Sequence, residues 1–102
     1  MAVVDSVHAR LADLLSGMMG AVCGRPAPRA HLSFLALGGG EAEAAELAHT
    51  VNALFGVDLS GPNVMRSPTP DALARTIADR WFDGGGSAPD LVELIDAVAE
   101  AG

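Results

Sequence analysis

Apolar positions repeat along this chain with the spacing of a helix that buries one side. Between Val3 and Val22 they fall at Val4, Val7, Leu11, Leu14, Leu15, Met18 and Val22. That i, i+3, i+4, i+7 rhythm predicts an amphipathic helix with a single buried stripe. Asp5 and Ser6 stand near its start, Gly24 is its expected stop, and Met18 and Met19 read as core filler. A second stripe, Ala44, Leu47, Ala48, Val51, Leu54 and Phe55, predicts a helix over 41–55, ended by Gly56. Val64 and Met65 mark a short turn of helix. Thr69, Pro70 and Asp71 then announce another, because a hydroxyl can cap, proline suits the first helical position and an acid favours the positive end. That helix carries Leu73, Ile77 and Trp81 on one stripe and runs to about Phe82.

The connections are as informative as the helices. Residues 24–40 form a long loop in which Pro26 and Pro28 block regular structure. Leu32, Phe34 and Leu37 are its expected anchors on the bundle, and His31 is expected to be a surface or loop-packing residue. Residues 84–87, Gly-Gly-Gly-Ser, read as a flexible break. Beyond them, Leu91, Leu94, Ile95 and Val98 lie on one side of a last amphipathic helix over 89–99. It either packs back on the bundle, the favoured reading, or binds a partner. The expected organisation is thus a helical bundle over 1–83, a Gly-rich break at 84–87 and a C-terminal amphipathic helix over 88–102.

Composition narrows the class. At 102 residues the chain suits one domain with a modest core, and its hydrophobic half leans on Ala and Gly, with only Trp81 and three Phe as aromatics. A small-residue helical bundle fits this better than a β-sandwich. Six arginines, no lysine and a net charge of −7 argue against nucleic acid and anionic membranes as partners. They permit a partner with a basic docking surface. Cys23 stands alone, so an intrachain disulfide is impossible and a reducing cytoplasm is the expected location. His8, His31 and His49 are scattered, and the carboxylates form faces rather than a paired cleft. Neither an enzyme active site nor a metal site is expected.

Three blocks carry a resemblance: F-L-A-L-G-G-G at 34–40, F-G-V-D-L at 55–59 and V-M-R-S-P-T-P-D-A-L-A-R-T-I at 64–77. In order and without gaps they resemble the peptidyl and acyl carrier proteins of nonribosomal peptide and polyketide assembly lines, over roughly Val4 to Trp81. The resemblance implies an all-α fold, a four-helix bundle of the acyl-carrier type, here with the additional C-terminal helix. In that family the motif after the long loop resembles Asp-Leu-Gly-Gly-x-Ser-Leu, and its serine receives phosphopantetheine from coenzyme A. This chain has Ala36 in place of the aspartate, Glu41 in place of the serine, and Ala42 and Glu43 where leucines are usual. Ser16, Ser33, Ser60, Ser67 and Ser87 all lie outside that context.

Attachment needs a hydroxyl oxygen as nucleophile, and a carboxylate would give a mixed anhydride that hydrolyses. The expectation is therefore a degenerate carrier with no phosphopantetheine and no other cofactor. It would act by protein–protein interaction with an assembly-line or tailoring enzyme, with a homodimer through the C-terminal helix as a further possibility. The alternative is a working carrier loaded at a non-standard residue. Gly39, Gly40, Glu41, Ala42, Glu43, Val64, Met65 and Arg66 are the candidate partner-binding residues. Glu41 either imitates the charge of a loaded carrier or only stabilises the first helical turn.

Overall fold

A computed structural model describes residues 2–24, 34, 38–67 and 69–101. Among these residues five helices follow one another: α1 (Ala2–Cys23), α2 (Glu41–Phe55), α3 (Gly61–Arg66), α4 (Pro70–Asp83) and α5 (Ala88–Ala101). Among the described residues the chain is all-α, as the stripes predict, and it is a bundle of the acyl-carrier type with one helix added at its end, as the resemblance implies. Leu32 and Leu37, with His31, Ser33 and Ala36, lie outside the described residues. So does the side chain of Val4.

α1 is the axis of the packing, touching α2, α4 and α5. Val7, Leu11, Leu15 and Met19 face inward, with Leu11, Leu15 and Met19 fully buried. They meet Leu47 and Val51 of α2, Leu73 and Ile77 of α4, and Leu91 and Ile95 of α5 in one core. Burying each aliphatic side chain of this size contributes about 1.5–3 kcal/mol. α2 spans the residues predicted for it. Leu54, expected on its buried stripe, is instead 37% exposed, because the stripe narrows to Leu47, Val51 and Phe55 near the helix end. Gly56 closes α2 in the left-handed conformation, φ 68°, its N–H bonded to the Asn52 carbonyl.

The entry to α4 follows its sequence signals. Thr69 accepts a hydrogen bond from the Ala72 N–H and Pro70 occupies the first position. Its exit differs from expectation. Residues 84–87 form a hydrogen-bonded turn: Gly84, Gly85 and Gly86 donate backbone N–H groups to Arg80, Phe82 and Trp81. Trp81, half-buried rather than in the core, donates its indole N–H to the Ser87 carbonyl at 2.9 Å. A Cβ on Gly86 would strike that indole, so only glycine fits beneath it. Ser87 in turn caps α5 through the Asp90 N–H. Held by this turn, α5 packs back on α1 through Leu91 and Ile95.

Candidate functional site

The candidate site is the start of α2 and the face that α3 turns toward it. Phe34 organises the approach. Its side chain is fully buried, and its carbonyl accepts the Gly39 N–H at 3.0 Å. The three glycines before the helix serve three different ends. Gly38 has φ 87°, a left-handed dihedral that an L side chain resists. Gly39 lies against the Phe34 ring, leaving no room for a Cβ. Gly40 is the N-cap of α2, in extended conformation.

A glycine cap offers no side-chain oxygen, and Glu43 supplies the missing interaction. Its Oε1 accepts the Gly40 N–H at 2.9 Å, the reach-back half of a capping box. Glu41, the first residue of α2, is exposed, and among the described residues its carboxylate has no hydrogen-bond or ion-pair partner. The two acids therefore divide the work. Glu43 secures the helix start, while Glu41 is held out at the positive end of the helix dipole with its oxygens uncommitted.

α3 is set against this point by a network on its approach loop. The Asn52 side-chain amide donates to the Leu59 carbonyl, and its oxygen accepts the Leu59 N–H, both at 2.8 Å. Arg80 reaches from α4 to the Asp58 carbonyl at 2.7 Å and to the Asn63 amide oxygen at 3.4 Å. Ser60 caps α3 by accepting the Asn63 N–H at 3.2 Å. So anchored, the start of α3 comes close to α2, with Gly61 beside the Ala45 backbone. A groove of about 640 Å³ opens between the two helices, lined by Glu41, Ala45, Gly61, Pro62, Met65 and Arg66. Its mouth has an acid on one side and a base on the other.

Of the residues singled out from sequence, the fold brings Glu41, Met65 and Arg66 together on this groove. Ala42 is exposed outside it, and Glu43 is turned back to the cap. Gly39 is buried beneath Phe34, and Gly40 is partly covered. Val64 does not reach the surface at all: it is fully buried on the inner side of α3, which rules out direct contact with a partner. Sequence reading missed Ala45, Gly61 and Pro62. These are small or loop-like residues whose meeting depends on how α3 docks, though the Gly40–Glu43 spacing of a capping box was there to be read.

Residues 13–77 match the family described as phosphopantetheine attachment site. The chain belongs to this family. Neither a curated protein nor a solved structure matches it significantly. Membership in the phosphopantetheine-attachment family supports a carrier-type role with protein partners. α2 and α3, and with them the whole groove, fall inside the matched span, whereas α5 lies beyond it. Among the described residues, no helix is long and apolar enough to cross a membrane.

Proposed function

We propose that this chain is a carrier-type domain that works by protein–protein contact rather than by carrying a phosphopantetheine arm. Its setting would be a biosynthetic pathway of the nonribosomal peptide or polyketide kind, in the cytoplasm, with an assembly-line or tailoring enzyme as partner. The carrier-like unit is 1–83, with the helix of 88–102 joined to it through 84–87. The observation that carries the reading is Glu41: an exposed carboxylate at the first position of α2, directly after the glycine turn, with no partner among the described residues. By resemblance this is the position of the attachment serine.

The residues at this point do not fit covalent attachment. A stable phosphodiester needs a hydroxyl oxygen, and the described hydroxyls are engaged elsewhere. Thr50 bonds the Glu46 carbonyl, Ser60 and Thr69 cap α3 and α4, and Ser67 pairs with Thr76. Ser87 caps α5. What the helix start offers instead is a fixed negative charge at the mouth of an apolar groove. That charge stands where a loaded carrier would hold its phosphodiester, and it suits a partner that recognises carriers by a cation near this point. Glu43 accepts the capping hydrogen bond, so Glu41 is not needed for the cap itself.

The test is labelling with a fluorescent coenzyme A analogue and a broad-specificity phosphopantetheinyl transferase, beside an authentic carrier as positive control. The wild-type chain is expected to remain unlabelled while the control is labelled. Stoichiometric label on this chain would overturn the proposal.

A further inference from the structure

The molecule has a second groove, which shares no lining residue with the first. It lies between α1 and α5, has a volume of about 670 Å³ and is larger than the first. Leu14 and Met18 of α1 and Val98 of α5 line it, all half-buried beside the buried Ile95. Gly17, Ala21 and Ala99 keep its floor low. We infer that this groove docks a basic amphipathic helix of a partner protein, at a surface independent of the α2–α3 site.

Shape and charge both select that occupant. Along α1 the lining runs from Arg10 to Ala21, about 16 Å at 1.5 Å per residue. That is three helical turns, the length over which a guest helix can seat apolar residues spaced i, i+3 or i+4, and i+7. α5 carries Asp90, Glu93, Asp96 and Glu100 and no basic residue. Asp13 adds an exposed acid on the α1 side. The single base on the lining, Arg10, is already paired with Asp96. Asp13 is thus the charge on the lining left over beside the Arg10–Asp96 pair, and an apolar seat with that acid, on a chain of net charge −7, fits a helix with a leucine-type stripe and flanking lysines or arginines. A second copy fits poorly, since each chain has a net charge of −7 and would bring another acidic α5 to the rim.

Gly17 sharpens the inference. It is exposed within a 22-residue helix, and a Cβ placed there meets nothing within 4 Å. A helix-interior glycine costs stability relative to alanine, and no neighbour among the described residues requires it. Its place on the groove floor leaves depth for a guest.

The test uses the full chain and an 18-residue fluorescein-labelled peptide with leucines at i, i+3, i+4, i+7 spacing and lysines elsewhere. A glutamate-for-lysine counterpart serves as control. Saturable binding of the lysine peptide is expected by anisotropy at 0.15 M salt, with none for the acidic peptide. Gly17→Leu fills the groove without strain and should weaken binding at least tenfold while keeping the wild-type helical spectrum and melting temperature or better. Asp13→Arg should weaken it severalfold. Glu41→Gln should leave it unchanged, which separates this surface from the proposed function. The inference is overturned by absence of saturable binding, by undiminished binding to Gly17→Leu, or by loss of binding in Glu41→Gln. Sedimentation showing a wild-type dimer that Gly17→Leu dissociates would also overturn it, because the guest would then be a second copy.

Discussion

Replacing Gly39 with alanine isolates the contact that fixes the approach to α2. Gly39 is not one of the left-handed glycines, so alanine meets no dihedral penalty there. The whole cost is steric, a Cβ driven into the Phe34 ring. That ring is fully buried and cannot swing into solvent without losing its core contacts. Overpacking of this sort costs about 1–3 kcal/mol. In a domain of this size each kcal/mol lowers the melting temperature by roughly 4–8 °C, so thermal unfolding followed by circular dichroism resolves it easily. A second substitution tests the cause. Phe34→Leu shortens the side chain that blocks the Cβ, and the two changes in one chain should cost less than the sum of each alone. Contacting residues couple by about 0.5–3 kcal/mol, and a coupling of at least ~0.5 kcal/mol in the relieving direction is expected. Strict additivity, or a Gly39→Ala variant as stable as wild type, would refute the reasoning.

Other substitutions separate neighbouring effects. Glu43→Ala removes the acceptor of the Gly40 N–H and should cost about 1 kcal/mol by thermal melting; Glu43→Gln keeps an acceptor oxygen and should cost much less. Asn52→Ala strands both the N–H and the carbonyl of buried Leu59. At about 1–3 kcal/mol per orphaned group, urea unfolding should show a loss of roughly 2–4 kcal/mol. Arg10→Ala breaks a pair whose members are both nearly half exposed. Screening holds such pairs to about 0–1 kcal/mol, so the melt should barely move.

The helices were legible because their signals are local. The stripes of α1, α2 and α4, the Thr69–Pro70 entry and the Gly56 exit each depend on residues within a turn or two of one another. Side-chain destination was harder to read wherever a second element decides it. Val64 sits on a short helix with no room for a readable stripe, and only the docking of α3 on α2 shows that it points inward. The same docking assembles Ala45, Gly61 and Pro62 into a groove wall. Trp81 lies in phase with Leu73 and Ile77, yet its indole N–H finds a carbonyl at Ser87 and is drawn to the turn. Three glycines in a row suggest looseness, but at 84–86 their small size is what lets the backbone pass under Trp81. Glu41 and Glu43 look equivalent as acids at a helix start. In the fold, Glu43 caps and Glu41 does not.

The most direct measurement is the intact mass of the wild-type chain after co-expression with a broad-specificity phosphopantetheinyl transferase. The expected result is the unmodified polypeptide mass, because residue 41 presents a carboxylate and not a hydroxyl. A species heavier by one phosphopantetheine would contradict it and make the chain a loaded carrier.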